Sequence, residues 1–146
     1  MNLDRERLKD TVARGVTALH TQLYRRTGGR LGSQVGKTPM LLLTTTGRRS
    51  GQPRTVPLAY LREGDRWILV ASYAGDDRDP QWLQNLRAHP EASIEVGSET
   101  HRVHASVASP AEKAELWPRV VALYSGYAGY QDRTERDIPL VILSPQ

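Results

Sequence analysis

The sequence "TTTGRRSGQPRTVPL" at residues 44–58 joins two strand-like segments. Residues 40–46 are apolar and rich in threonine, which predicts a strand, and residues 54–62 alternate apolar side chains along one face of a second strand. Pro57 has no N–H to donate, so the second strand is expected to lie at a sheet edge or to carry a bulge there. Together the two segments predict an antiparallel hairpin.

The connection between these strands is unusually basic. A hairpin turn needs only about two to five residues and no charge, yet this one contains Arg48, Arg49 and Ser50, and Arg54 follows it. Between Asp10 and Glu63 the chain has nine basic residues and no acidic one. Arginine binds phosphate groups bidentately, and glycines let backbone N–H groups approach an anion. The pattern favours an anion-binding loop, with a solvated basic loop as the structural alternative.

Composition limits the classes of protein that are possible. The chain has 146 residues, a formal net charge of +4 and no cysteine, which fits one compact domain without disulfides, thiolate catalysis or cysteine-bound zinc. Its charged N-terminus and short apolar runs argue against a signal peptide and a membrane span. His101 and His104, three apart on a strand, point to opposite faces and predict no metal site. A cytoplasmic protein is expected.

The remaining segments suggest three helices around several hairpins. Residues 3–26 predict a basic amphipathic helix, with an apolar stripe formed by Leu8, Val12, Val16, Leu19 and Leu23. A glycine-rich connector, expected to be neither helix nor strand, follows it. We therefore divide the chain into an N-terminal helix and connector, residues 1–37, and a β-rich domain, residues 38–146. Hairpins interrupted by helices predict an α+β, mainly β fold, either an antiparallel sheet or a small barrel with helices outside.

Two helix starts have recognisable caps. Asp79 before Pro80 is expected to cap the second helix, and Ser109 with Glu112 forms a capping box at the third. In the second helix Trp82 and Asn85 lie on one face. Either these two residues help to close a binding site, or Trp82 belongs to the core and Asn85 to the surface.

A tyrosine-rich segment precedes the last strand. Tyr124, Tyr127 and Tyr130 recur every three residues with glycines between them, a pattern that suits a pocket for a planar ligand as well as simple packing. Neither a Ser-His-Asp arrangement nor a metal cluster can be assembled from the sequence. An enzyme built on this chain would need an imported cofactor.

Five segments together resemble the deazaflavin (F420)-dependent nitroreductase and F420H2-dependent quinone reductase family. They are "LYRRTGGRLG" (23–32), "LLLTTTGRRSGQPRTVPLAYL" (41–61), "ILVAS" (68–72), "DPQWLQNL" (79–86) and "YAGYQDRTERDIPLVILSP" (127–145). The resemblance implies a split β-barrel, related to FMN-binding barrels, with peripheral helices and an N-terminal amphipathic helix. It also implies reduced coenzyme F420 as the cofactor, with FMN as the alternative.

The resemblance implies roles for particular residues. The phosphate and acidic tail of F420 would be bound by Arg48, Arg49, Ser50 and Arg54. The deazaflavin ring would lie beside Pro57 and Leu58 and a loop formed by Ala71, Ser72, Tyr73 and Gly75, and Trp82 and Asn85 would close the site. The acceptor pocket would be lined by Tyr124, Tyr127 and Tyr130, with Tyr130 as the expected proton donor and Ser72 assisting it.

These observations predict an F420H2-dependent reductase of quinones or nitroaromatics. Two alternatives remain open, an FMN-type split-barrel oxidoreductase and a non-catalytic carrier of F420 or another hydrophobic ligand. The basic span lacks interleaved aromatic residues and a recognition helix, so nucleic acid is not expected as a partner. Residues 3–26 either pack on the barrel or contact an acidic membrane at the inner face of the cell. The protein is expected to be a monomer or a homodimer.

Overall fold

The secondary structure is that of a mainly β protein with three helices. The computed structural model describes residues 2–35, 38–72, 79–123, 129, 131–132 and 137–146. The helices in this part of the chain are α1 (Asn2–Arg26), α2 (Gln81–Ala88) and α3 (Pro110–Leu123). The strands are β1 (Gln34–Val35), β2 (Thr38–Thr46), β3 (Pro53–Ala59), β4 (Leu61–Glu63), β5 (Arg66–Val70), β6 (Glu91–Val96), β7 (Glu99–Val107) and β8 (Leu140–Pro145).

The strands close into a barrel through one bent segment. All ladders between the described strands are antiparallel and run in the order β1-β2-β6-β7-β8-β5-β4, while β3 pairs with the other edge of β2. β3 and β4 are consecutive and separated only by Tyr60. The bend at Tyr60 therefore lets one segment pair first with β2 and then with β5, which closes the circle of strands.

The circle of ladders is interrupted between β3 and β5, and we call this interruption the β3–β5 opening. β4 pairs with β5 from Glu63↔Arg66 to Leu61↔Ile68, but within the described chain no ladder joins β3 to β5. β3 is thus an edge strand along this side, as Pro57 predicts.

The core has two layers, which follow from the two-residue period of the strands. Trp67 and Leu69 of β5 face the barrel interior and pack with residues such as Leu41 and Ile94. Ile68, between them in the chain, points outward and packs with Leu116 and Val120 of α3. Helix α3 thereby covers the outer face of the barrel, as the hairpin pattern predicts.

Two expectations about secondary structure are wrong. The glycine-rich connector contains β1, because Gln34 and Val35 pair with the first residues of β2. Asp79 does not cap α2: Pro80 occupies the N-cap position without a side-chain cap bond. The Asp79 carboxylate accepts a 2.6 Å hydrogen bond from Arg87 instead, so an ion pair with the last turn of the helix replaces the cap. The Ser109–Glu112 capping box is confirmed by hydrogen bonds of 2.9 and 3.2 Å.

Helix α1 is anchored at its C-terminal end. Tyr24 is 1% exposed, and Arg25 donates to the Glu95 carboxylate at 3.0 and 3.1 Å and to the Thr55 hydroxyl at 3.2 Å. The apolar stripe expected from the sequence points away from these contacts. Its members are 42–65% exposed, namely Leu8, Val12, Val16, Leu19 and Leu23. The stripe therefore does not pack on its own barrel in the described structure.

Helix α1 is also the longest described helix, at 25 residues. None of the helices in the described ranges combines the length and apolar character that crossing a membrane requires. The division of the chain at residue 37 stays a prediction.

Candidate functional site

The basic connection between β2 and β3 is an ordered loop. The Gly47 N–H donates to the Gln52 carbonyl, and the Gly51 N–H donates to the Gly47 carbonyl, both at 2.8 Å. The Ser50 hydroxyl accepts from the Gln52 N–H at 3.2 Å and from Arg54 at 3.4 Å. A Cβ atom on Gly47 would lie 2.7 Å from the Ser50 hydroxyl, so a side chain there would displace this hydroxyl. The backbone that carries Arg48 and Arg49 and leads to Arg54 therefore has a defined conformation.

Arg48 is held by the second helix. Asn85 of α2 accepts, through its side-chain oxygen, the Arg48 backbone N–H at 3.2 Å and the Arg48 guanidinium at 3.1 Å. The Asn85 amide nitrogen donates to the Thr45 hydroxyl of β2 at 3.1 Å. Asn85 and Thr45 are buried, whereas Arg48 is half-buried. The chain thus brings together Arg48 and Asn85, two residues of the expected site, and adds Thr45, which the sequence analysis missed.

The loop arginines differ from other arginines of the protein in their partners. Arg25, Arg66, Arg87 and Arg119 each form an ion pair with a carboxylate. Among the described residues, no carboxylate pairs with Arg48, Arg49 or Arg54. Guanidinium groups that lie close in sequence attract an anion, and they bind phosphate or carboxylate oxygens with good geometry.

Four residues expected beside a planar ring lie on β3 or directly after β5, namely Pro57, Leu58, Ala71 and Ser72. Pro57 and Leu58 lie on β3, opposite Leu42 and Leu41 of β2, and their other edge faces the opening. Continuing the β4–β5 register past Tyr60 would place Leu58 opposite Ala71 and Pro57 opposite Ser72. Both Ala71 and Ser72 are buried.

The opening and the arginine loop are adjacent along β3. Arg54 and Pro57 are three residues apart on this strand, which corresponds to about 10 Å. Tyr60 lies at the bend beside the opening, and burial raises the pKa of its hydroxyl, so Tyr60 stays a neutral donor in the physiological range.

The second helix agrees only in part with the interpretation of a core Trp82 and a surface Asn85. Trp82 is 8% exposed and packs in the barrel core with Leu83 and Leu86. Asn85 is 4% exposed, so the expectation of a surface residue is wrong. The polar neighbours that Asn85 needs in the interior come from β2 and its loop, forty residues earlier, which a local helical pattern does not reveal.

Several predicted residues lie outside the described part of the chain. They are Tyr73, Gly75, Tyr124, Tyr127 and Tyr130, and their roles stay predictions. His101 and His104, for which no metal site is predicted, each pair with a glutamate, at 3.2 Å to Glu99 and 2.6 Å to Glu91 respectively.

Comparison with known proteins identifies the family. Residues 16–145 match the model of the F420H(2)-dependent quinone reductase family. The chain belongs to this family. It is 44% identical over 130 residues to an F420H(2)-dependent quinone reductase of Mycobacterium tuberculosis, an alignment that covers 86% of this chain and 87% of the relative.

Solved structures agree with this assignment. A structure of an F420-H2 dependent reductase is 36% identical, with a TM-score of 0.68, covering 73% of this chain and 94% of that chain. Another structure, described as a domain-swapped dimer, is 31% identical with a TM-score of 0.69 and covers 98% of both chains. These similarities confirm the expected split β-barrel of the FMN-binding type.

Family membership also confirms three broader expectations. The protein is an oxidoreductase, its cofactor is coenzyme F420, and its acceptor is quinone-like. Arginines fit the acidic groups of such a cofactor, and Arg48, Arg49 and Arg54 have no carboxylate partner in the part of the chain that the structure describes.

Proposed function

We propose that the arginine loop and the β3–β5 opening form the F420H2 site of a quinone reductase. The observation that carries this proposal is that Arg48, Arg49 and Arg54 have no carboxylate partner among the described residues, although four other arginines do. Coenzyme F420 has a phosphodiester and an acidic tail. The positive charges of the three arginines complement these negative groups. A charge-assisted contact of this kind contributes about 1.5–3 kcal/mol.

The residues of this chain would act mainly by binding and orientation. Bound in its reduced form, the coenzyme supplies a hydride to the acceptor. Arg48, Arg49 and Arg54 hold the charged chain, and Pro57, Leu58, Ala71 and Ser72 bound the ring position. The buried, apolar surroundings of Ala71 exclude water, which favours hydride transfer over side reactions. Tyr130 would then give a proton to the reduced acceptor, with Ser72 orienting it, and Tyr73, Gly75, Tyr124 and Tyr127 would complete the pocket.

An assay of anaerobic F420H2 oxidation tests this function. We expect oxidation of F420H2 when menadione is supplied and none when it is omitted, and a panel of quinones and nitroaromatics would rank the acceptors. The double substitution Arg48→Ala with Arg54→Ala should weaken F420 binding and slow the reaction at low F420H2. Binding without turnover would show a carrier instead of an enzyme. Tight FMN binding without affinity for F420 would contradict the proposal.

The exposed stripe of α1 supports a second proposal about partners. Leu8, Val12 and Val16 are 57–65% exposed, and Arg5, Arg7, Lys9 and Arg14 beside them are exposed as well. An exposed apolar stripe flanked by cations is the pattern of helices that lie on an anionic bilayer. We infer that α1 binds the cytoplasmic face of the membrane, where lipid-soluble quinones are found. Alternatively, a second copy of the chain could bury this stripe, as in a domain-swapped dimer of the kind described for the structural relative.

Vesicle binding and oligomeric state distinguish these two partners. We expect the protein to sediment with anionic vesicles and not with neutral ones. The substitutions Val16→Asp and Leu19→Asp should abolish sedimentation, whereas Val107→Asp, at an exposed apolar residue of β7, should not. Failure to bind anionic vesicles, together with a dimer by light scattering that the α1 substitutions dissociate, would instead assign the stripe to a second copy of the chain.

A further inference from the structure

The orientation of the Asn85 amide follows from its neighbours. The Asn85 oxygen faces two donors, the N–H and the guanidinium of Arg48, at 3.2 and 3.1 Å. Neither of these groups can accept a hydrogen bond, so the flipped amide would face donors with its own N–H groups. The amide nitrogen is correctly placed against the Thr45 hydroxyl at 3.1 Å, which can accept. The hydrogen bonds that link Thr45, Asn85 and Arg48 are therefore all satisfied in only one orientation of the Asn85 amide.

The support behind Asn85 is rigid. Trp82, Leu83 and Leu86 of the same short helix pack into the barrel core, and Asn85 itself is 4% exposed. Thr45, at the far side of the amide, is 2% exposed and belongs to the β2 ladder. A buried amide with both ends bonded has little freedom to rotate, so the position of Arg48 is coupled to the core of the barrel.

Holding an arginine with an amide has a specific electrostatic result. Arg25, Arg66, Arg87 and Arg119 are held by carboxylates, which neutralise them. Asn85 occupies one of the five N–H donors of the Arg48 guanidinium and leaves its charge intact. None of the remaining donors has a hydrogen-bond partner among the described residues, which leaves them to bind an anion. Such an arrangement orients a cation before the ligand arrives, which reduces the entropy lost on binding.

We propose that Asn85, supported by Thr45, is a positioning residue that orients Arg48 for the anionic part of F420 and acts through Arg48. The inference rests on the proposed arginine site and deepens it. It differs from the expectation that Asn85 itself contacts the cofactor. The two possibilities predict different coupling between Asn85 and Arg48, because a residue that acts only through Arg48 has nothing to act on once the guanidinium is removed.

A double-mutant cycle on F420 affinity, measured by titration calorimetry, tests the proposal. We expect Arg48→Ala to weaken binding about tenfold or more, and Asn85→Ala to weaken it about fivefold or more. In the Arg48→Ala background, Asn85→Ala should change affinity by less than about twofold. In steady-state assays, Asn85→Ala should raise KM for F420H2 and leave kcat at saturation within about twofold of the wild type.

Substitutions at Thr45 provide the matched control. They also test the proposal if Asn85→Ala fails to fold. Thr45→Ser keeps the hydroxyl and should bind F420 like the wild type, whereas Thr45→Val removes it and should weaken binding about two- to fivefold. Equal losses from Asn85→Ala with and without Arg48 would show direct contact with the cofactor and overturn the inference. Wild-type affinity in Arg48→Ala would instead refute the arginine site itself, and the inference with it.

Discussion

Tyr24 of α1 and Gly97 of the β6–β7 turn are joined by a 2.7 Å hydrogen bond in which the Gly97 N–H donates to the tyrosine oxygen. The same hydroxyl lies 3.2 Å from the Met40 carbonyl and 3.1 Å from the Glu95 carbonyl. A single phenol thus connects the end of the N-terminal helix to β2 and β6. This connection fixes where α1 leaves the barrel.

Replacing Tyr24 by Phe should destabilise the fold. The substitution leaves the partly buried Gly97 N–H without its acceptor, and the loss of such a hydrogen bond costs about 0.5–1.5 kcal/mol. Urea unfolding should therefore show a lower midpoint with an unchanged slope. Tyr60→Phe is the matched control, since the hydroxyl of Tyr60 has no hydrogen bond among the described residues, and it should cost less. Equal effects of the two substitutions would contradict the role given to the Tyr24 hydroxyl.

The same tyrosine predicts a loss of stability at alkaline pH. Burial raises the pKa of Tyr24 above its usual value of 10.0, outweighing the opposite effect of the Gly97 hydrogen bond. A group with a raised pKa in the folded state stabilises the fold fully below its unfolded pKa, and this contribution is lost as the pH rises through the folded pKa. Unfolding free energy should thus fall above about pH 10, and less steeply in Tyr24→Phe. Parallel pH profiles of the unfolding free energy for the wild type and Tyr24→Phe would contradict this prediction.

Gly29 and Gly97 form a close backbone contact that can be tested by paired substitutions. A Cβ atom on Gly29 would lie 2.5 Å from the Gly97 Cα, and Gly29 has a φ of +86°. Gly97 has a φ of +62° but open space at its own Cβ position. Gly97→Ala should cost about 1–2 kcal/mol from backbone strain alone. Gly29→Ala should cost more because the clash adds to the strain, and chemical denaturation would compare the two.

The arginine loop predicts a salt-dependent affinity for F420. Arg49→Ala and Arg54→Ala should each weaken binding about tenfold or more, since a charge-assisted contact is worth about 1.5–3 kcal/mol. The loss should be largest at low ionic strength because salt screens exposed charges. Arg102→Ala on β7 removes the same charge outside the loop and should leave affinity nearly unchanged. If Arg102→Ala weakened binding as much, net charge and not the loop would be responsible.

The capping box of α3 predicts a stability change at acidic pH. Hydrogen bonding from the Ser109 N–H lowers the pKa of Glu112 below 4.5. A carboxyl with a lowered pKa stabilises the fold above its unfolded pKa, and the contribution is lost as pH falls through the folded value. Glu112→Gln should therefore lower Tm at neutral pH, with the gap to wild type closing in acid. Glu115→Gln on the same helix is the control, and its Tm difference from the wild type should not close in this way.

Features that depend on neighbouring residues in the sequence were predicted well. The Ser109–Glu112 capping box follows from a spacing of three, and the barrel-type hairpins follow from alternation and turn residues. Asp79 shows the limit of this reasoning. The residue type and position suit an N-cap, but a partner two turns later, Arg87, takes the carboxylate.

Features that depend on distant segments could not be predicted in this way. The burial of Asn85 depends on Thr45 and Arg48, which a helical pattern does not contain. The exposure of Val12 and Val16 likewise depends on how α1 leaves the barrel, which is set by Tyr24 and Arg25. An amphipathic pattern identifies an apolar face but not what covers it.

The unpaired edge of β3 also carries a hazard. A strand with a free edge is a template for other polypeptide strands, and proteins commonly protect such edges from aggregation. Pro53 and Pro57 lie on this strand and have no N–H to donate. The strand consequently offers an intruding chain fewer donors than an ordinary edge would. The two prolines thus make β3 a poorer template for the addition of a foreign strand.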